Sequence, residues 1–230
     1  MDEMTGQVDG RLVRAKEWTE LATFGGDSSR LEEAERELDT LAADVALARG
    51  RILHARFLSR RFGPQAEPDP VGDPRELELF EEALRLFERV GDRRGQGDAL
   101  FQVGIFHQVV LGDGDTGVPF FVRSAEAASE AGDQMTVSYA LRHLGFAELE
   151  AGRLEAAWDQ FAESTRLRRE AGFWPGVAAN LVGMAEIAAA KGDRDEALRL
   201  IAEAMELARG CDAANVVAMA EQAKAELGAG

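Results

Sequence analysis

The chain has 230 residues, and its 42 acidic and 26 basic side chains give a formal net charge of −16. With 46% hydrophobic and 30% charged residues, the composition is typical of a soluble globular protein and argues against disordered, collagen-like and membrane classes. The acidic balance disfavours nucleic acids and anionic membranes as partners and favours neutral or basic ones. The single cysteine, Cys211, excludes an intramolecular disulfide and a cysteine-built metal site.

The start of the chain predicts a cytoplasmic protein. Residues Met1 to Thr5 lack the basic and apolar regions of a signal peptide, and no apolar run approaches 18 residues. We therefore expect neither secretion nor a membrane anchor.

Residues 1–61 are predicted to form N-terminal helices and the first helix of an irregular repeat. A short helix at about 10–23 is expected to pack, as an N-terminal cap, on the helix that follows it. That second helix has an apolar stripe and continues to about residue 61. Gly50 is the one place where it could break, since glycine costs about 1 kcal/mol relative to alanine inside a helix.

Residues 62–74 contain four of the six prolines in the chain. Proline at this density prevents a regular helix, so we predict a loop. An ordered lid and a tolerated surface insertion both fit this pattern.

Residues 75–211 repeat with a period of about 40 residues. Glycines of the kind that end helices close successive segments, at spacings of 41, 40 and 38: Gly91, Gly132, Gly172 and Gly210. A second series of glycines lies 40 residues apart: Gly112, Gly152 and Gly192. One position in each unit is apolar, at spacings of 41, 40 and 40: Phe80, Phe121, Phe161 and Ile201. The pattern predicts units of helix, short turn and helix.

The best-formed unit resembles a tetratricopeptide repeat (TPR). Leu144-Gly145 matches the Leu-Gly pair of that family, and Gly152 matches its inter-helix glycine. Ala157 and Phe161 match its A-x-x-x-F motif. The small residues allow two helices to approach closely, while the phenylalanine fills the space between neighbouring units.

The resemblance covers about residues 75–211, with three departures from the family pattern. Leu141 stands where the family often has tryptophan, Glu148 stands where it has tyrosine, and no proline closes the unit. The period of about 40 also exceeds the usual 34 residues. This points to the long-repeat variety found in bacterial signalling and regulatory proteins and in adaptor proteins.

The resemblance implies an all-α, right-handed solenoid of stacked antiparallel helix pairs. The predicted pairs fall at 93–131, 134–171 and 174–209, after a helix at 75–90 that completes the irregular first unit. Residues 212–230 supply a C-terminal capping helix, so the whole chain is expected to be one continuous superhelical domain.

The resemblance also implies that one stripe on the first helix of each unit lines a concave groove. In the best-formed unit, the stripe and its neighbour are Tyr139, Arg142, His143, Phe146 and Leu149. The matching residues of the preceding unit are Asp98, Phe101, Ile105 and Gln108. A groove that is apolar with isolated polar groups suits a peptide or a small ligand.

Two registers are open for the stripe of the next unit. If Ala185 takes the small position, the stripe is Ala179, Val182, Glu186 and Ala189. If Gly183 takes it, the stripe is Asn180, Met184 and Ile187. The first register is preferred because it keeps Gly192 in phase without a gap.

Arg142 is the strongest candidate for a ligand contact, because a guanidinium clamps carboxylate or phosphate bidentately. The alternative is an intramolecular pair with Glu186 or Glu150. Tyr139, the only tyrosine, can offer its hydroxyl to the same ligand or simply pack with its tip in water.

The three histidines, His54, His107 and His143, all lie in first helices. None has a second ligand three or four residues away, as helical metal motifs require. His107 is expected to be a hydrogen-bonded core residue. His143 borders the stripe, where it either packs or contacts a ligand.

Other sequence signatures of catalysis do not occur. No nucleotide-binding loop or nucleophile elbow is present, and three lysines leave few candidates for lysine chemistry. The basic cluster Arg166, Arg168 and Arg169 is expected to be a solvated helix end that complements the helix dipole. We therefore expect no catalytic residue, no cofactor and no metal.

These observations predict a non-catalytic, TPR-like adaptor that holds a neutral or basic protein or peptide partner in its concave groove, in a bacterial regulatory or assembly system. One alternative is a small-molecule-sensing module with the proline-rich loop as its lid. Another is an enzyme with a groove site around His107, Arg142 and His143. Exposed apolar faces are also compatible with a homodimer.

Overall fold

A computed structural model describes residues 8–62, 66–68 and 70–229. The start of the chain and part of the predicted loop, residues 1–7, 63–65 and 69, lie outside the described residues. The described ranges form α-helices and one π-helical segment, joined by turns and without a β-strand. The predicted all-α class and its consecutive helix pairs are therefore confirmed.

The helices in chain order are α1 Gly10–Gly25, α2 Leu31–Phe62, α3 Arg75–Val90, α4 Arg93–Ile105, α5 Gly114–Glu130, α6 Gln134–Glu150, α7 Leu154–Glu170, α8 Trp174–Ala190, α9 Arg194–Gly210 and α10 Ala214–Ala229. The π-helical segment Phe106–Val110 follows α4 directly. In the described part of the chain, none of these helices is long and apolar enough to cross a membrane. The described residues form two compact units, which divide between residues 99 and 100, within α4.

In the first unit, an ion pair holds α2 near its middle, and loop hydrogen bonds hold its C-terminal end. Arg11 Nη1 donates to Asp44 at 2.7 Å and ties α1 to α2, as the predicted N-terminal cap requires. At the C-terminal end of α2, Arg60 donates to the Val71 carbonyl at 2.8 Å, and the Glu67 N–H donates to the Arg60 carbonyl at 2.7 Å. The described parts of the proline-rich loop are therefore bonded to the last turn of α2.

Helix α2 continues unbroken through Gly50. A Cβ atom at this position would lie 2.4 Å from the ring of Phe80, which is fully buried on α3. Because no side chain fits between that ring and the α2 backbone, the glycine allows the close approach of the two helices. The residue that looked like a break is the contact point between α2 and α3.

In the second unit, the helices α5 to α9 each have 17 residues and begin 20 residues apart. The turn after α6 is representative. Gly152 has a φ of 73°, and the Arg153 N–H donates to the Glu148 carbonyl at 2.9 Å. This bond satisfies a carbonyl that the end of the helix would otherwise leave unpaired.

The prediction that Gly210 ends a helix in the same way is wrong. Gly210 is the last residue of α9, and the left-handed residue that follows Gly192 after 20 positions is Asp212, with a φ of 54°. Aspartate is among the few non-glycine residues that adopt this conformation readily. The turn after α9 therefore keeps its place in the repeat, but aspartate takes the left-handed position that glycine takes in the earlier turns. This is why the last spacing in the glycine series is 38 residues.

Aspartate side chains begin three of these helices. Asp113, Asp133 and Asp193 each accept the backbone N–H three residues later, at 3.0, 3.2 and 3.0 Å. Each carboxylate satisfies a donor that the first turn of a helix leaves unpaired. The matching positions before α7 and α8 hold Arg153 and Phe173, which form no such side-chain bond.

The core of the second unit is organised around Phe161 on α7. A Cβ atom would lie 2.6 Å from its ring at Gly145 on α6 and 2.5 Å from it at Gly183 on α8. Phe146 packs edge-on against the same ring, with centroids 5.0 Å apart. The residues that share the repeat position of Phe161 are all at most 1% exposed, which confirms the predicted core position: Phe80, Phe121, Phe161 and Ile201.

The π-helical segment accommodates one extra residue. Gly91 and Gly112 are 21 positions apart, whereas the later turns are 20 apart. The Leu111 N–H donates to the Phe106 carbonyl at 3.0 Å, which is the five-residue bond of a π-helix. The wider turn takes up the additional residue, so α5 begins in phase with the helices after it.

Replacing Phe161 with alanine should lower the free energy of unfolding by about 3 to 5 kcal/mol, because the ring fills the space between two glycines. Urea denaturation followed by circular dichroism measures this change. The control is Val122→Ala on α5, whose side chain is 41% exposed; a change within about 0.5 kcal/mol is expected there. Equal losses in the two variants would contradict the role given to Phe161.

Candidate functional site

The predicted stripe on α6 lies on one face of the helix, with half-buried side chains. Its neighbour His143 is also half-buried. Because α6 and α8 begin 40 residues apart, Glu186 takes the position in α8 that Phe146 takes in α6, and it is exposed. We call the following six residues the α6–α8 surface: Tyr139, Arg142, His143, Phe146, Leu149 and Glu186.

The matching residues of α4 have other surroundings. Phe101 and Ile105 are only 9% and 6% exposed, and they pack with Phe121 in the core of the second unit. Asp98 belongs to the first unit, where it forms an ion pair with Arg51. The structure therefore brings the α6 and α8 positions together on a surface and places these α4 positions in core packing and an ion pair.

His143 is held in an aromatic cluster. Its Nδ1 lies 2.6 Å from Gln108 Oε1, and its ring stacks on Phe121 with centroids 5.1 Å apart. The centroid of the Phe101 ring lies 5.5 Å from the ring centroids of both His143 and Tyr139. The sequence left two roles open for His143, packing and ligand contact, and the contacts observed are those of a packed side chain. Gln108, the fourth residue of the stripe predicted for the preceding unit, lies in the π-helical segment and bridges it to α6.

The other two histidines have different partners. His107 stacks on Phe120, with centroids 5.6 Å apart and planes 6° from parallel. Its Nδ1 is buried without a hydrogen-bond partner among the described residues, so the predicted hydrogen bond of a core histidine is missing at that atom. His54, in the first unit, lies 2.8 Å from the fully buried carboxylate of Glu76. Among the residues described, no three His, Cys, Asp or Glu side chains are grouped to hold a metal ion.

Arg142 braces α6 against α8. Its Nη1 donates to the Ala179 carbonyl at 2.8 Å and to Asn180 Oδ1 at 3.0 Å. The guanidinium lies over the ring of Phe146, 4.7 Å from the centroid. The intramolecular partners are therefore a carbonyl, an amide and a ring, whereas the sequence suggested Glu186 or Glu150.

Two charged groups on the α6–α8 surface have shifted pKa values. Burial lowers the pKa of Arg142 to about 9, the charge of Arg168 acts in the same direction, and Glu186 opposes them. The guanidinium therefore stays protonated at neutral pH. Burial raises the pKa of Glu186, Arg142 counteracts this, and Glu226 adds to it. Charges in such partly dehydrated surroundings interact more strongly than charges in water.

A second arginine, Arg168 on α7, is only 2% exposed. Its Nη1 donates to the Gly176 carbonyl at 2.9 Å and to Asn180 Oδ1 at 2.8 Å, and its Nε donates to Ser138 Oγ at 3.3 Å. The guanidinium also lies over the ring of Tyr139, 4.9 Å from the centroid. One amide oxygen, Asn180 Oδ1, thus accepts from both Arg142 and Arg168.

The prediction of a solvated basic helix end is wrong for Arg168. Arg166 and Arg169 do lie at the surface, where Arg169 pairs with Glu203 at 2.8 Å. Arg168 faces α6 and α8, which its place in a run of arginines does not reveal. The sequence of α8 could have indicated a buried polar partner, because Asn180 and Glu186 are the only amide and carboxylate side chains in this helix.

A separate groove of about 420 Å³ lies between α7 and α9, open to solvent. We call it the α7–α9 groove. Its floor is apolar and is formed by Trp158, Ala162, Leu181, Met184 and Leu200. Its rim is charged and is formed by Arg166, Arg169, Glu196, Arg199 and Glu203. The sequence did not predict this groove, because it forms between the second helices of two successive pairs, outside the stripe considered.

Replacing Asn180 with alanine should lower the free energy of unfolding by about 2 to 4 kcal/mol, because two buried guanidinium donors lose their shared acceptor. Denaturant unfolding measures the change. The matched control is Asn215→Ala at an exposed position of α10, where a change within about 0.5 kcal/mol is expected. A loss at position 180 no greater than at position 215 would contradict the shared role of the amide.

The raised pKa of Glu186 predicts a pH-dependent stability. In the window between its ordinary value of 4.5 and the raised value, the folded chain binds more protons than the unfolded chain, so stability falls as pH rises through it. Glu186→Gln should therefore raise Tm at pH 7, and the difference should shrink as pH falls toward 4.5 and be absent at lower pH. Thermal unfolding across this range tests it, with Glu206→Gln on α9 as control. A gain that does not change with pH would contradict the prediction.

Comparison with known proteins bears on the fold. No protein-family model matches the chain, and no curated protein matches it. The crystal structure of BtubC (BKLC) from P. vanneervenii is similar, with a TM-score of 0.51 and 15% sequence identity, over 92% of this chain and 93% of that one. At this identity the likeness concerns the fold alone.

Proposed function

We propose that this chain is a non-catalytic, TPR-like adaptor that binds a segment of a partner protein on the α6–α8 surface. The partner segment is neutral or basic, and the system is a regulatory or assembly system of the bacterial cytoplasm. Nucleic acids and membranes are not its partners. The observation that carries the proposal is that half-buried apolar side chains and the exposed carboxylate of Glu186 lie on one surface.

The chemistry of the α6–α8 surface supports a cationic or neutral peptide. Phe146 and Leu149 offer apolar area, and the carboxylate of Glu186 lies on the same surface with Glu226 in electrostatic range. Arg142 is already engaged by α8, so the negative charge of the glutamates is the one available to a partner. A net charge of −16 also speeds the encounter with a basic partner.

The contacts of Arg142 and His143 support a non-catalytic role. A general acid or base needs a side chain free to reach a reacting group. Arg142 is bonded to α8, and the His143 ring is held by Gln108 and Phe121. His107 stacks on a different ring, Phe120. These contacts favour an adaptor over the enzyme considered from the sequence.

The packing of the best-formed repeat supports the TPR-like assignment. Gly145 provides the close approach that the Leu-Gly pair of the family provides, and Phe161 fills the space between α6 and α8. The period of 40 residues and the absence of a family-model match set this chain apart from the common 34-residue repeat.

The α7–α9 groove favours a second candidate function, the sensing of a small molecule. Its volume of about 420 Å³ lies within the range of ligand sites, which is roughly 300 to 1,000 Å³. Its apolar floor and charged rim suit an amphipathic ligand. A small molecule that raises Tm in the wild type but not in Trp158→Ala would support this function in place of the adaptor.

The adaptor proposal is tested by affinity capture from native bacterial lysate with wild type, Glu186→Lys and Glu206→Lys. Both glutamates are exposed, and both variants change the net charge by the same amount. We expect wild type and Glu206→Lys to retain the same protein, and Glu186→Lys to retain at least about tenfold less, because the charge that faces the partner is reversed.

Circular dichroism of the three proteins establishes that the helices are intact. Equal retention by both lysine variants would contradict the α6–α8 surface as the binding site. Retention of RNA or lipid in place of a protein would contradict the adaptor itself.

A further inference from the structure

The charge of α2 reverses halfway along the helix. Residues 31–44 carry six acidic side chains and one arginine, whereas residues 45–62 carry five arginines and no acidic side chain. The whole chain has a net charge of −16, so this stretch is a local exception. At physiological salt, charges are screened beyond about 8 Å, so a partner that docks here responds to the local arginines more than to the distant acids.

The reversed half of α2 borders a surface cavity. A cavity of about 220 Å³ lies between α2 and α3, within the first unit. Its apolar residues are Ile52, Leu53 and Leu79, and its basic residues are Arg49, Arg56 and Arg75. We call these six residues the α2–α3 patch. Ile52 is 52% exposed and Leu53 is half-buried, so the cavity presents apolar side chains to solvent between the arginines.

Two of the three arginines have no partner among the described residues. Arg75 is bonded to Asp73, with Nη2 at 2.6 Å from the carboxylate. Across the described residues, Arg49 and Arg56 form no ion pair and no side-chain hydrogen bond, although Arg51 between them pairs with Asp98. Their guanidinium groups therefore retain all their donors for an acceptor from outside the chain.

We propose that the α2–α3 patch binds an acidic segment of a partner protein that carries one large apolar side chain. The inference is independent of the proposed function, because it concerns the other compact unit and a partner segment of opposite charge. Two carboxylates would bind Arg49 and Arg56, and the apolar side chain would enter the cavity over Ile52 and Leu53.

The spacing of the arginines defines the segment. Arg49 and Arg56 are seven residues apart on one face, which is about 10.5 Å along a helix. In an extended peptide, side chains alternate between two faces, so residues 1, 3 and 5 of a segment share one face and span about 13 Å at about 3.3 Å per residue. The long arginine side chains can reach over this distance, so an acidic, any, apolar, any, acidic order presents both carboxylates and the apolar side chain to the patch.

The lining favours a peptide over the other anionic macromolecules. Single-stranded nucleic acid binds where aromatic side chains stack on its bases, and the six lining residues include no aromatic ring. An anionic bilayer presents a flat surface, which does not reach into a concave cavity between two helices. A concave apolar floor between two guanidinium groups fits a side chain of a peptide.

Fluorescence anisotropy with the full chain tests the proposal. The probe is a fluorescein-labelled Gly/Ser peptide with a Glu-Ser-Phe-Ser-Glu core, and the comparison peptides have Gln-Ser-Phe-Ser-Gln or Glu-Ser-Ser-Ser-Glu cores. We expect the first peptide to bind at least about tenfold more tightly than either comparison. We also expect Arg49→Gln/Arg56→Gln to weaken its binding by roughly tenfold, because two charge-assisted contacts are lost.

The matched control is Arg36→Gln/Arg85→Gln, which changes the net charge equally at two exposed arginines outside the patch. Binding to this control should equal binding to the wild type. Equal affinity for all three peptides, or an equal loss in both double variants, would overturn the proposal. It would also be overturned if single-stranded RNA or phosphatidylserine vesicles, in place of the peptide, bound with a dependence on Arg49 and Arg56.

Discussion

The contact between a phenylalanine ring and bare helix backbone is the interaction on which the second unit depends. The ring of Phe161 lies against Gly145 on one side and Gly183 on the other, so α6 and α8 are held at the separation that one ring allows. At this separation the guanidinium of Arg142 reaches a backbone carbonyl of α8. Larger residues at either glycine would move the helices apart, and the polar contacts between them would be lost.

The buried polar groups act on orientation more than on stability. Removing a charge from water is costly, and two arginines that share the amide of Asn180 repay only part of that cost. These hydrogen bonds fix the relative orientation of the helices, because both arginines reach Asn180 in only one arrangement of α6, α7 and α8. The stripe on α6 is therefore presented in a fixed position relative to Glu186.

The helices could be predicted because turn residues recur at regular spacings, and the distance between two turns sets the length of the helix between them. Gly210 shows the limit of this method, since Asp212 supplies the left-handed turn and a search for glycine misses it. The burial of Arg168 could not be predicted from a run of arginines, which does not indicate the face that each one takes. The α7–α9 groove depends on side chains from three helices and has no counterpart in a single stripe.

The π-helical segment after α4 has a consequence for chain length. One extra residue in an α-helix would rotate every later side chain by about 100° about the axis. Here the wide turn at Phe106–Val110 confines that rotation, and α5 begins two residues after Gly112, as α6 begins two residues after Gly132. A residue can thus be gained or lost at this point while the helices on either side keep their faces, which makes it a place where chains of this architecture can vary in length.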